Sequence, residues 1–206
     1  IEVIRMNMVR AGILGASLLA IAVASPGASA DPDGEAAISA AIATLDQSPQ
    51  WKASARRIAS EGSAVVVEGL SVAAEQGSLS AEVAKAAFAD LNHGTGAVTF
   101  SSLAVSGVKV RQANAELTVP SIEASGVSLP DFSAFRFDAT TPTVSLARAL
   151  TLLAAAKFDG VNILEASLQE GPDGARSGIT ARGIAIGRMA DGVLENPTIG
   201  VVSFSD

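Results

Sequence analysis

The sequence predicts a mainly β protein: an antiparallel, curved and twisted sheet of repeated short strands or hairpins, with an N-terminal helix near 35–47 and a second helix near 143–156 packed on the sheet. Three observations predict it. From Ser63 onward the chain is rich in β-branched residues in short apolar runs. Turn-forming clusters separate those runs: "EQG" at 75–77, "NHGTG" at 92–96 and "EGPDG" at 170–174. The third is an apolar rhythm that changes step at a glycine, again and again.

In "LAVSGVKV" at 103–110, Leu103 and Val105 alternate before Gly107, and Val108 and Val110 alternate on the other parity after it. The same apolar spacing flanks Gly69 (Val65, Val67, Leu70, Val72), Gly126 (Ile122, Ala124, Val127, Leu129), Gly160 (Ala156, Phe158, Val161, Ile163) and Gly183 (Ile179, Ala181, Ile184, Ile186). Gly200 is a degraded further copy with Val201 in register. With half the residues apolar, roughly one such match is expected by accident. Strand side chains alternate faces, so one extra residue turns the next apolar set outward. A β-bulge absorbs that residue, and glycine suits it because positive φ costs it little. A tight corner between two separate strands is the alternative at each glycine.

Taken in order, the chain opens on a secretory pattern. Arg5 and Arg10 precede an apolar run from Ala11 to Ala24, then Pro26, Gly27 and the small-residue site "ASA" at 28–30. The run is about fourteen residues, short of the ~20 that span a bilayer. Residues 1–30 are expected to be a signal peptide and 31–206 a single mainly β domain, periplasmic or secreted, with no transmembrane segment in the mature chain. In "DPDGEAAISAAIATLDQ" at 31–47, Asp31 or Asp33 can cap a helix, and Ile38, Ile42 and Leu45 share one face. Pro49 ends it. "AEVAKAAFADL" at 81–91 is alanine-rich, but its neighbours and the alternation Leu79, Ala81, Val83 favour strand. In 143–156, Thr143 can cap a helix with Leu146, Leu150 and Leu153 on one face.

The residues that could carry chemistry do not converge in the sequence. There is no cysteine, which excludes disulfides and thiolate sites. His93 is the single histidine and lies in the polar "NHGTG" segment, which lacks the Lys-Ser/Thr of a phosphate-binding loop. No G-x-S-x-G elbow occurs. Asp131, Asp138 and Asp159 are read as solvated acids. The net charge of −7 disfavours nucleic acid and anionic headgroups, and with no tyrosine and a single Trp51 there is no stacking platform. No catalytic residue, cofactor or metal ligand is therefore assigned. Phe132, Phe135 and Phe137, in "LPDFSAFRF" at 129–137, form the richest aromatic patch, either core or the lining of an apolar-ligand groove.

The segments "VVVEGLSV", "LAVSGVKV", "IEASGVSL" and "ITARGIAI", with the secretory pattern and a helix among strands, resemble the repetitive β-sheet proteins of the bacterial cell envelope, the AsmA-like and translocation-and-assembly-module-like group. That resemblance covers 63–206. It implies a non-enzymatic envelope protein whose curved sheet binds or carries lipid or another apolar ligand. A structural or protein-interaction module of the periplasm, with an envelope protein as partner, is the alternative. A secreted hydrolase is a remote third.

Overall fold

The computed structural model describes residues 34–47, 51–74, 79–94, 97–130, 151, 155–171 and 177–205. The expected signal segment 1–30, the phenylalanines at 132, 135 and 137, and Asp131 and Asp138 lie outside the described residues. So does most of the expected helix at 143–156, of which Thr151, Ala155 and Ala156 are described: Thr151 is helical, but Ala155 lies in a turn and Ala156, which is buried, is in no helix, so the helix does not reach the expected end.

Helix α1 (Gly34–Asp46) forms where the spacing of Ile38, Ile42 and Leu45 calls for it. Ile38 is only 1% exposed, and Ala37, Ala41 and Ile42 are buried with it. Two side chains tie the helix to the sheet. The Glu35 carboxylate accepts the backbone N–H of Ser60 at 3.1 Å, and Asp46 Oδ1 accepts the N–H of Ala53 at 3.1 Å.

The strands are β1 (Trp51–Ser54), β2 (Arg57–Glu61), β3 (Ala64–Ala74), β4 (Leu79–Ala89), β5 (Asn92–Gly94), β6 (Ala97–Gln112), β7 (Ala115–Pro130), β8 (Gly160–Glu170), β9 (Ser177–Ile186), β10 (Arg188–Ala190), β11 (Val193–Glu195) and β12 (Thr198–Ser205). The main sheet runs β1-β3-β4-β6-β7-β8-β9-β12, all antiparallel, with β2 beside β3 and β5 beside β6. β10 and β11 form a separate hairpin over Asp191-Gly192, both at positive φ. Apart from the short strands β2 and β5 and the β10–β11 hairpin, the strands lie side by side in the order in which they occur along the chain, each antiparallel to the next, as in a meander. The alanine-rich 81–91 segment is strand over most of its length, as its alternation indicates. His93 lies in the short strand β5, paired with Val98 in the leg of a hairpin.

The changes of step are real and they are shared. Gly69, Gly107, Gly126 and Gly183 sit inside continuous strands at φ between 57° and 63°. They are not corners. Nor does one strand carry an unmatched extra residue. Glu68 pairs with Lys85 and Leu70 with Val83, so the register is the same on both sides of Gly69. Both strands step together: β3 buries Val67 then Leu70, and β4 buries Val83 then Ala86. The pairing omits Gly69 and Ala84 at the step, and the same omission recurs at Gly107 opposite Ala84 and at Gly183 opposite Gly200. One line of steps thus crosses the sheet, through Gly69, Ala84, Gly107, Pro120, Leu164, Gly183 and Gly200. It explains how Pro120 sits in the middle of β7. Proline cannot donate to a ladder, and at the step the ladder does not pair. A second line passes through Asp90 (φ 51°), Ser101 and Gly126. Gly160 differs from the other four glycines. It is not at positive φ, and the residue facing Gly126 is its neighbour Asp159.

The core lies on one face of β1 to β7. Val65, Val67, Val83, Phe88, Phe100, Leu103, Val108, Val110 and Val119 are buried there with Ile38 and Ile42 of α1. Phe88 and Phe100 meet edge to face with ring centres 5.6 Å apart. That geometry contributes about 0.5–1.5 kcal/mol beyond area burial.

Candidate functional site: an apolar face that opens toward β12

Many outward positions are polar or charged, and several are paired across strands. Arg182 Nε donates to the Glu165 carboxylate at 2.6 Å, directly opposite in register. Arg111 meets Glu116 at 2.8 Å and Glu82 at 3.6 Å, which raises its pKa. Arg56 and Arg57 reach Glu68 at 3.1 Å and 3.3 Å. Their hydrogen bonds and charge, that of Arg56 foremost, hold Glu68 below the usual carboxylate range.

Inward positions form apolar rows across β7, β8, β9 and β12. Ile122, Ile163, Ile184 and Ile199 stand side by side, one per strand. Leu117, Leu168, Ile179 and Phe204 make a second row. Between the two rows lie Ala166 and Ala181, with Val202 beside them on β12. By register and side-chain size, the large residues on both flanks and the methyl groups between them outline a shallow trough across β8 and β9. Burial falls away along it. The same face is buried from β3 to β6, half-buried on β8 and β9, and open on β12, where Ile199 is 60% and Phe204 76% exposed.

A second feature is a depression of about 230 Å³ lined by Gly34, Ser60, Gly62, Ser63, Ala64, Val65, Asp90 and Leu91. At its rim the Ser101 hydroxyl donates to Asp90 Oδ2 at 2.6 Å. Hydrogen bonds from Ser101, and then from Ser63, lower the Asp90 pKa. A carboxylate stabilised in this way is a poorer base, so the contact caps the end of β4 without activating the serine. Among the described residues no group of three or more His, Asp or Glu side chains is placed to hold a metal ion.

The five glycines singled out from the sequence are brought onto the two step lines or next to them, and they serve the backbone. The apolar rows were missed as a site, because register is not visible until the strands are paired. Gly200 looked degraded because its strand steps in the complementary way, with Ile199 and Val202 facing inward, as Val83 and Ala86 do around Ala84. The β10–β11 hairpin was also missed, although its Asp-Gly turn is a strong hairpin signal.

No known protein family, characterised protein or solved structure matches this chain. Among the described residues no helix is long and apolar enough to cross a membrane.

Proposed function

We propose that this chain is a non-enzymatic protein of the bacterial envelope that holds a lipid chain, or a similar linear apolar ligand, in the trough across β8 and β9. One observation carries the proposal: the apolar inward face continues through the Ile122–Ile163–Ile184–Ile199 row onto β12, where it is exposed. Water against such a face is unfavourable by about 25 cal/mol per Å² of apolar area, and a ligand that covers it recovers that term. The alanines at 166 and 181 suit a narrow, flexible chain, since they leave a depth of one side chain between the flanking rows. The secretory pattern at 8–30 and the resemblance to the AsmA-like group support an envelope setting.

The test is direct. Purified protein is extracted and its lipid content measured by mass spectrometry against a control protein of the same size. Lipid above the control is expected, and recovery of none would sink the proposal. Ala181→Leu fills the trough without touching the core under α1. It is expected to weaken binding of a fluorescent fatty acid at least tenfold, about 1.4 kcal/mol. Unchanged binding in that variant would place the ligand elsewhere.

A periplasmic interaction module is a second reading, favoured by the uncharged edge of β12, with which no described strand pairs.

A further inference from the structure

β12 pairs with β9 on one side, and among the described residues no strand pairs with its other side. All eight of its residues are exposed, and none is charged or a proline. Proteins usually protect a sheet edge with charge, proline, a break in the strand or a covering element. The opposite edge of this sheet uses several of these. β1 and β2 carry Lys52, Arg57 and Glu61, are interrupted at Ala55–Arg56, and are contacted by α1. Among the described residues nothing protects β12 in these ways.

The sequence of β12 is also complementary to itself. In an antiparallel pair of two copies with Ile199 opposite Val202, the inward residues of both copies fall on one face. The step residues Gly200 and Val201 then face each other, and Thr198 stands opposite Ser203 on the outer side. Shifting the register by one residue sets Ile199 against Val201 or Ser203, and shifting it by two sets Ile199 against Phe204 or Gly200 while Val202 or Gly200 meets a residue of the other face. The step therefore selects a single register. The sheet already contains a seam of this kind. Between β7 and β8 two steps meet without a positive-φ residue, and pairing resumes at Thr118–Ser167 and Ile122–Ile163.

We infer that the chain forms a two-fold symmetric dimer by pairing β12 with β12 of a second copy, Ile199 against Val202. The interface is isologous, with its axis between Gly200 and Val201. It supplies ladder partners to both free edges and joins the two open apolar faces into one. The inference stands on the edge and its register, so it does not depend on what the trough holds.

Sedimentation velocity on the full chain at about 100 μM, where micromolar association is nearly complete, is expected to show a dimer. Val201→Lys lies on the outer side at the axis, away from the apolar rows, and is expected to give a monomer. An equimolar mixture of Val201→Lys and Val201→Glu is expected to restore the dimer, which loss of folding would not do. The chain has no cysteine, so register can be read by oxidation. Thr198→Cys with Ser203→Cys in one chain is expected to cross-link into a covalent dimer, and Thr198→Cys alone is not. A monomer at all concentrations, lipid-loaded or not, would overturn the inference. So would a dimer that persists in Val201→Lys, or cross-linking that ignores register.

Discussion

Gly107 and Gly183 share one backbone angle, φ 63°, but not one environment. A β-carbon on Gly107 would stand 2.7 Å from the Ala84 Cβ, and both strands would have to move apart. On Gly183 its nearest neighbours are backbone atoms of Gly200 at 3.8 Å, which is ordinary contact. Alanine in the left-handed region costs about 1–2 kcal/mol wherever it is placed. Overpacking adds about 1–3 kcal/mol where the neighbour cannot yield. Gly107→Ala is therefore expected to lower stability by roughly 2–5 kcal/mol, and Gly183→Ala by roughly 1–2 kcal/mol. Urea denaturation of the two variants checks the order, and equal losses would mean that the angle alone matters. Glu68 gives a prediction in pH. Its folded pKa lies below its unfolded one, so its contribution is complete above the ordinary carboxylate range and is lost as pH falls through the folded value. The melting temperatures of the native protein and Glu68→Gln are expected to differ at neutral pH and to converge as pH falls below the folded value. Because the Glu68 partners Arg56 and Arg57 are exposed, the neutral-pH difference is small.

At the scale of the element, alternation and turn chemistry made most strands legible. The β-branched run of β3, the alternation through Val83 and Phe88 in β4, and the Ile38-Ile42-Leu45 face of α1 all describe one side of one element, and that is what a linear sequence encodes. The glycine steps were visible as a rhythm. Their cause was not, because a step is a property of two strands. A glycine strand steps across the residues before and at the glycine, as with Val67 and Leu70 around Gly69. Its neighbour steps with no glycine at all, as at Ala84 or Pro120. The Ile122–Ile163–Ile184–Ile199 row was illegible for the same reason. Its members are separated by stretches of chain of different lengths, and only the register lines them up.

Over the whole molecule, buried apolar residues are distributed unevenly along the chain. Among the described residues the buried hydrophobics run from Ala37 to Ala156, and none lies on β8, β9 or β12. Local opening costs less free energy where fewer apolar groups leave the core, so the sheet carries a gradient of stability from β3 toward β12. Backbone amides of β3, β4 and β6 are expected to exchange with solvent only through global unfolding, and those of β9 and β12 at least tenfold faster. The gradient also tests the site. A ligand in the trough binds the closed state of β8 and β9 and not the open one, and ligation stabilises whichever state it binds. Adding a fatty acid is therefore expected to slow exchange on β8 and β9 while leaving β3 and β4 unchanged. Hydrogen-exchange mass spectrometry with and without the fatty acid reads both effects at once. Uniform protection across all strands in the free protein would contradict the gradient. Fatty-acid protection confined to β3 and β4 would move the ligand away from the open face and onto the part of the sheet that α1 packs against.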